Sequence, residues 1–344
     1  MTKARDIASA TTPNANAALL ATFPHRNLII NGAMQVAQRG TSVTGVTSGG
    51  YKTCDRWNIA TSSAGTWTIS QDTTVPSGEG FSYSYKFDCT TADASLSAGD
   101  HLILAHYIEA QNVAHLGYGT ASAKKLTLSF WVRSAKTGTY VLELVRNDDN
   151  RHIAQTYTVS SANTWERKTL TFDGDTGGSA IPHDNGRGFE VNFWLAAGST
   201  FSGGTLATSW AANTAANRAA GVLNLADSTS NDWYVTGVQL EVGEQATPFE
   251  HRSYGDELAR CKRYFQRTYT GDYSYWVSTN YNSNNNWAIY EFPEMRAAPT
   301  QSNFGISSTP ANTYITRNIL SWNWTTISYV QVGPNDTGDL DAEL

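Results

Sequence analysis

Short apolar segments, separated by polar and glycine-rich turns, fill the sequence between residues 66 and 248. Segments of this length, rich in β-branched and aromatic residues, are candidate strands. They are residues 66–71, 81–88, 101–108, 126–134, 139–147, 152–159, 164–173, 188–197 and 232–242. Eight or nine strands at this spacing predict two antiparallel sheets packed face to face. A long irregular insertion, residues 199–231, interrupts the series, and insertions of that length are usually functional or contact a partner.

The composition supports the same fold class. Only 16% of the 344 residues are charged, whereas 12% are aromatic, with 11 Trp and 17 Tyr. Strands accommodate Thr and aromatic residues, while long helices favour Glu, Lys and Ala. The composition therefore predicts an all-β chain. It is also typical of adhesive surfaces, where Tyr and Trp supply stiff contact area.

Charge and hydropathy exclude several classes of function. The net charge is −6 and no long Lys/Arg run occurs, so we expect no nucleic-acid partner. No apolar run approaches the ~20 residues that a membrane-spanning helix needs, so we expect no membrane insertion. Residues 1–21 lack the continuous apolar stretch of a secretory signal, which predicts synthesis in the cytoplasm.

Four regions follow from these patterns. Residues 1–26 are rich in Ala, Thr and Asn without periodicity and are predicted to be an extended attachment arm. Residues 27–250 form the predicted sandwich, and residues 251–267 a linking helix. Residues 268–344 are dense in aromatic residues and predict a smaller C-terminal β domain.

The helix is predicted over residues 254–266, with acidic residues in its first turn and basic residues at its end. Tyr254, Leu258, Cys261 and Phe265 form one narrow apolar stripe. This stripe either packs on a sheet of its own chain or faces copies of itself as an oligomer seam. Together with the charge-poor C-terminal region, it predicts a homo-oligomer, with a trimer favoured.

Several stretches together carry a resemblance to a known family. They are residues 27–40 (NLIINGAMQVAQRG), 55–57 (DRW), 126–134 (LTLSFWVRS), 164–172 (TWERKTLTF), 238–243 (VQLEVG), 246–250 (ATPFE), 261–266 (CKRYFQ) and 292–299 (FPEMRAAP). In this order they resemble phage and prophage fibre-like virion proteins. The central part is similar to carbohydrate-binding modules with a jelly-roll fold. The resemblance implies a jelly-roll sandwich, a virion role, a glycan ligand and homotrimers.

Strand alternation selects candidate ligand-binding residues, because successive side chains point to opposite faces of a sheet. Segments 126–134 and 188–197 each place four apolar residues on one face. The residues left on the outer faces are Trp131, Arg133, Glu190, Asn192 and Trp194. Aromatic rings can stack on the C–H surface of a sugar while planar polar groups bind its hydroxyls. We therefore expect these residues on one exposed face as a carbohydrate-binding site. The alternative is that a loop or a neighbouring subunit covers the tryptophans.

Other clusters of reactive residues indicate no catalytic chemistry. Because Cys54, Cys89 and Cys261 are widely spaced, we predict that they are small buried side chains. Residues 147–150 (NDDN) are read as a hairpin turn, with a calcium site as the alternative. Residues 182–188 (PHDNGRG) are read as a loop. We predict no catalytic residue, no metal site and no cofactor, and hence a chain that is not an enzyme.

These observations predict a fibre or spike subunit on the surface of a phage particle, made in the host cytoplasm. It would bind a host cell-surface polysaccharide and contact other virion proteins through residues 1–26. The first alternative is a purely structural virion component, such as a head fibre, collar or tail decoration. The second is a glycan-degrading enzyme, for which the sequence offers no evident carboxylate pair.

Overall fold

The computed structural model describes residues 25–269, 279–282, 285–302, 312–324 and 337–344. It divides into two compact units, Met1–Tyr254 and Gly255–Leu344. Residues 1–24 of the predicted arm lie outside the described residues, as do Tyr273, Tyr275, Trp276 and Tyr329 of the aromatic region. Within the described parts of the chain, no helix is long and apolar enough to cross a membrane.

Residues 25–254 of the first unit form eleven strands. They are β1 (Ser42–Tyr51), β2 (Trp57–Asp72), β3 (Ser84–Thr91), β4 (His101–Glu109), β5 (Leu126–Ser134), β6 (Gly138–Arg146), β7 (Arg151–Val159), β8 (Glu166–Phe172), β9 (Arg187–Ala197), β10 (Ala211–Ala212) and β11 (Asp232–Val242). Two helical turns, α1 (Ala110–Val113) and α2 (Ser199–Ser202), lie between them. Each of the nine predicted segments overlaps an observed strand. The prediction of an all-β jelly-roll sandwich is confirmed.

A bend in the long strand β2 divides the strands into two sheets. Residues 57–63 of β2 pair with β4, whereas residues 66–72 pair with β3. Ser62 and Ser63 both oppose His101, and Gly65 has a φ of 76°. A Cβ on Gly65 would lie 2.7 Å from the Thr91 carbonyl oxygen, so the bend requires glycine.

The first sheet therefore has the order β10-β7-β6-β9-β4-β2, and the second sheet the order β2-β3-β11-β5-β8. Strand β1 follows the outer edge of β2 through the bend, and every pair in this unit is antiparallel.

The core lies between the two sheets. The inward residues expected for β5 and β9 are all fully buried: Leu126, Leu128, Phe130, Val132, Phe189, Val191, Phe193 and Leu195. Phe193 of β9 meets Phe130 of β5 edge to face, with ring centroids 5.1 Å apart, and lies 5.9 Å from Trp233 of β11. These contacts join the sheets through aromatic side chains, which bury the most apolar area per residue.

Buried polar side chains fix the loop at the start of the sandwich, within residues 27–40. The Asn31 side chain accepts a hydrogen bond from the Val36 amide at 3.0 Å and donates to the carbonyls of Val36 and Asp55. Trp57 Nε1 donates to the Asn31 carbonyl at 3.0 Å. Because Asn31, Asp55 and Trp57 are fully buried, these bonds satisfy groups that water cannot reach. The hydrogen bonds of Asn31 and Trp57 therefore hold this loop onto the sandwich.

The helix α3 (Tyr254–Lys262) begins at the last residue of the first unit and continues into the second. The described residues of the second unit also form seven strands. They are β12 (Phe265–Tyr269), β13 (Thr279–Asn282), β14 (Asn285–Glu291), β15 (Thr300–Ser302), β16 (Asn312–Ile315), β17 (Ile319–Trp324) and β18 (Thr337–Asp341). They form a three-stranded sheet, β12-β18-β15, and a four-stranded sheet, β13-β14-β17-β16. Arg267 and Asp339 pair through two bonds of 2.7 and 2.9 Å, which ties β12 to β18.

The predicted helix over residues 254–266 is too long. The helix ends at Lys262, and Phe265 begins β12, where it opposes Asp341 of β18. Pairing with a strand distant in sequence overrides the helical periodicity here. Cys261 and Phe265 are buried within their own chain, whereas Tyr254 is 58% exposed. A continuous helical seam of Tyr254, Leu258, Cys261 and Phe265 is therefore wrong, while homo-oligomerisation stays a prediction.

Candidate functional site

The two candidate tryptophans lie on different sheets. Trp131 is on β5 of the second sheet and Trp194 is on β9 of the first. Both point away from the core, as alternation predicted, but the outer faces of the two sheets point in opposite directions. Trp194 is also fully buried, whereas Trp131 is partly buried. The expectation that both lie on one exposed face is therefore wrong. Alternation predicts which side of its own strand a residue occupies, but it does not predict to which sheet that strand belongs.

The second sheet holds Trp131 and Arg133. The Arg133 guanidinium donates to Asn163 Oδ1 at 2.9 Å and lies 4.7 Å from the centre of the Tyr234 ring. It also lies 3.7 Å from the Asp232 carboxylate. These contacts hold Arg133 on the outer face of the second sheet. The three candidates on β9 lie on the first sheet, so Arg133 is not near them.

The first sheet does bring Glu190, Asn192 and Trp194 together. They alternate along the outer face of β9, opposite Tyr107, Ala105 and Ile103 of β4. Asn192 Nδ2 donates to Glu190 Oε2 at 3.1 Å, and Arg187 Nη1 donates to Glu190 Oε1 at 2.9 Å. Three of the five predicted residues therefore lie side by side in the structure.

A buried carboxylate, Glu143 of β6, organises the group. His152 Nδ1 and Arg218 Nε donate to its Oε1 at 2.8 and 2.9 Å. Asn192 Nδ2, Trp194 Nε1 and Arg218 Nη2 donate to its Oε2 at 3.2, 3.0 and 2.9 Å. Burial raises the pKa of the Glu143 carboxyl, but the bonds from His152 and Arg218 lower it more, so the pKa lies below its ordinary value. Glu143 is thus held ionised.

The long insertion supplies the cover over Trp194. The Phe201 ring lies 5.4 Å from the Trp194 ring, and the Arg218 guanidinium lies 5.0 Å from its centre. A covering loop was the alternative to an exposed tryptophan, and for Trp194 that alternative is confirmed. Sequence reasoning missed Glu143 and Arg218. A charged residue between Leu142 and Leu144 was the available signal, because an ion in an apolar strand needs a partner.

A cleft of about 160 Å³ opens beside this cover on the outer face of the first sheet. Its lining residues come from β2, β4, β9 and the insertion: Ala60, His101, Ile103, Ala105, Tyr107, Glu190, Asn192, Trp194, Phe201 and Arg218. The lining combines an apolar floor with carboxylate, amide, imidazole, phenol and guanidinium groups. Apolar walls with a few convergent polar groups are typical of small-ligand sites.

The polar groups of the cleft retain capacity to bind a ligand. Glu190 Oε2 accepts one bond from the protein, from Asn192. The Arg218 guanidinium bonds to Glu143 through Nε and Nη2, and its Nη1 has no hydrogen-bond partner among the described residues. The cleft therefore presents a carboxylate acceptor and a guanidinium donor, which suits a neutral ligand with several hydroxyls.

Glu143 and Glu190 are two carboxylates on neighbouring strands, so a glycosidase arrangement must be considered. The five donors around Glu143 exceed the roughly four lone-pair sites of a carboxylate, which leaves none for a substrate. A glycosidase also needs an acid with a raised pKa, whereas that of Glu143 is lowered. The arrangement favours binding over hydrolysis.

The other candidate clusters have structural explanations. Residues 147–150 form the turn between β6 and β7, so the hairpin prediction is confirmed. In this turn, Asp149 Oδ2 accepts bonds from Arg146 at 2.8 Å and from the Ser179 amide at 2.6 Å. In the described ranges, no three His, Cys, Asp or Glu side chains are grouped to hold a metal ion.

Comparisons with known proteins give structural similarities alone. No family model and no curated protein matches this chain. Among solved structures, the chain is similar to the enzymatically active domain of tailspike protein 4 of bacteriophage CBA120, with a TM-score of 0.35 and 14% identity. That match covers 64% of this chain and 22% of the tailspike chain.

Two carbohydrate-binding modules are also similar to this chain. For the family 11 carbohydrate-binding module of cellulase Lic26A-Cel5E of Clostridium thermocellum, the TM-score is 0.28 and the identity 11%, covering 59% of this chain and 98% of the module. For the N-terminal cellulose-binding domain of Cellulomonas fimi β-1,4-glucanase C, the TM-score is 0.28 and the identity is 12%. That match covers 61% of this chain and all of that domain. Scores this low leave the ligand to be argued from the site itself.

Proposed function

We propose that this protein is a phage fibre or spike subunit that binds a host cell-surface glycan through the cleft on its first sheet. The observation that carries the proposal is the cleft itself, where Phe201, which packs against the buried Trp194, lies beside Glu190, Asn192 and Arg218. Aromatic and aliphatic walls pack against the C–H surface of a sugar, and the polar groups bind its hydroxyls. Weak contacts of this kind become effective when several copies act on one particle.

The virion part of the proposal rests on the resemblance to phage fibre-like proteins. The main stretches that carry it are residues 27–40, 126–134, 238–243, 246–250 and 292–299. The proposal places the protein on the particle surface after synthesis in the host cytoplasm, as a homo-oligomer with a trimer favoured. The purely structural alternative keeps the same location and has no ligand. The binding role is favoured because the cleft combines apolar walls with convergent polar groups, as small-ligand sites do.

Glu190→Gln tests the binding role. It removes the charge and keeps the shape, so we expect glycan affinity to fall about tenfold, or ~1.4 kcal/mol, which is typical of one hydrogen bond to a charged group. The measurement is a glycan array followed by titration of the best glycan. Glu244→Gln is the matched control, because it removes a carboxylate that is 68% exposed and outside the cleft lining.

Three results would contradict the proposal. Unchanged affinity in Glu190→Gln would remove the cleft from the function. Absence of binding to every glycan on the array would favour the structural alternative. Release of new reducing ends from capsule or lipopolysaccharide would show that the protein is a glycan-degrading enzyme.

The attachment arm is tested by truncation. His25 and Arg26 already belong to the sandwich, because the His25 amide donates to Glu250 Oε1 at 2.8 Å and Arg26 Nε to Thr247 Oγ1 at 2.8 Å. A chain that begins at His25 is therefore expected to keep its melting temperature and its trimer mass in light scattering. It should fail to join the particle, as measured by co-sedimentation. Normal incorporation would show that residues 1–24 are not the attachment segment.

A further inference from the structure

We infer that the cleft binds the end of a glycan chain and not an internal stretch of it. This inference rests on the proposed function and concerns which part of a polysaccharide the site recognises. Three observations carry it: a wall that closes one side of the cleft, an open surface on the other side, and a volume that holds one sugar ring.

The wall is the long insertion. Beyond β9, the outer face of the sheet is covered beside the cleft, since Val141 and Glu143 of β6 and His152 and Ala154 of β7 are fully buried. Farther along β7, Thr156 and Thr158 are exposed. Parts of the insertion pair with the β7 edge, where Ala211 opposes His152 and the Ala154 amide donates to the Ala207 carbonyl at 2.7 Å. A polysaccharide crossing the strands cannot continue past β9, because protein occupies the path.

The wall is firmly attached to the sheet. Arg218 stands at its edge and bonds to the buried Glu143 through two nitrogens, both at 2.9 Å. Two parallel bonds between a guanidinium and a carboxylate hold both position and orientation. Phe201 contacts Trp194 and also His101, with ring centroids 5.1 Å apart in the second pair. Opening this side would break a buried ion pair, so a ligand does not displace the wall.

The opposite side is open. Successive outer positions of β2, at Asn58, Ala60 and Ser62, are partly or fully exposed. They oppose Ala105, Ile103 and His101 of β4, so the floor of the cleft continues toward β2 and solvent. The remainder of a glycan can therefore leave the cleft in this direction.

The volume agrees with a single ring. About 160 Å³ is close to the ~150 Å³ that holds one six-membered ring in an engineered cavity. Sites for larger ligands begin at roughly 300 Å³. One terminal sugar residue fills the cleft, and the next residue of the chain lies outside it.

The test varies the number of chain ends at constant mass of polysaccharide. Dextran, α-mannan, β-1,4-galactan and lipopolysaccharide O-chains are each titrated against the full chain, before and after partial acid hydrolysis that creates tenfold more ends. If ends are recognised, the apparent affinity per unit mass of the polysaccharide that binds is expected to rise about tenfold. Glu190→Gln should weaken binding to both forms, whereas Glu244→Gln should bind as the parent chain does.

Each outcome separates the inference from the function on which it rests. Equal affinity per unit mass before and after hydrolysis overturns chain-end recognition and leaves glycan binding intact. No binding to either form of any of these polysaccharides overturns the proposed function as well. Borohydride reduction of the hydrolysed chains identifies the terminus: lost binding assigns the reducing end, and retained binding assigns the non-reducing end.

Discussion

Replacement of Trp194 by alanine is expected to lower the free energy of unfolding by about 3–5 kcal/mol, the usual cost of emptying a fully buried tryptophan site. Trp194 has no exposed surface, and its ring lies 5.4 Å from the Phe201 ring and 5.0 Å from the Arg218 guanidinium. Its Nε1 also donates to Glu143, so the substitution removes a hydrogen bond from a buried carboxylate. Urea unfolding followed by circular dichroism measures the effect.

Trp131→Ala is the matched control for Trp194→Ala. Trp131 lies on the outer face of the second sheet, opposite Thr236 and Arg167 in the neighbouring strands, and it is partly buried. We expect a loss of about 1 kcal/mol or less, which is the range for cross-strand pairs on a sheet surface. Similar losses in the two variants would mean that the insertion does not cover Trp194 in solution. The same pair of variants tests the predicted binding role of Trp131, since an effect on glycan affinity would bring the second sheet into the site.

Arg218→Ala is expected to lower the free energy of unfolding by about 2–4 kcal/mol at neutral pH. Removing one partner of a fully buried ion pair costs about 3–5 kcal/mol. The expected loss is smaller here because the Arg218 side chain is 19% exposed and because His152, Asn192 and Trp194 still donate to Glu143. Arg187→Ala is the matched control, because Arg187 is 35% exposed and pairs with the less buried Glu190, where losses are at most about 1 kcal/mol.

The difference between the parent chain and Arg218→Ala should depend on pH. The pKa of Glu143 is lowered in the folded chain, so its ionised form contributes stability above the unfolded pKa of about 4.3. That contribution is lost as the pH falls through the lowered folded pKa, where the carboxyl becomes protonated. The stability difference should be full near pH 7 and shrink below about pH 4. A difference that is constant down to pH 3 would show that Arg218 acts by packing on Trp194 alone.

The expected stability losses of Trp194→Ala and Arg218→Ala determine which substitutions can test ligand binding separately from folding. Trp194, Glu143 and Arg218 hold the insertion to the sheet, so substitutions there change folding and binding together. Glu190 is 14% exposed and lines the cleft, so Glu190→Gln alters the ligand-facing surface with a smaller effect on the fold. The structural group and the ligand-facing group share Asn192, which donates to both carboxylates.

Sequence alone determined most strands of the sandwich and the inward faces of β5 and β9. Alternation is a local property, since each residue turns the side chain to the opposite side of the strand. The inward residues of β5 and β9 could therefore be named, from Leu126 to Val132 and from Phe189 to Leu195, and all are buried as predicted. Turn composition likewise located the β6–β7 hairpin, because Asn and Asp supply the backbone geometry and local hydrogen bonds that turns need.

Only the tertiary structure decided which faces come together. Sheet membership depends on pairing between distant strands, so Trp131 and Trp194 have the same local pattern but lie on opposite outer faces. Phe265 continues the helical stripe in sequence, yet pairing with Asp341 makes it part of a strand. Glu143 and Arg218 are 75 residues apart and meet only because the insertion folds over the first sheet. A local window can show that Glu143 needs a partner, but it cannot show which residue supplies it, because the free energy that fixes the contact comes from burying groups brought together by the whole fold.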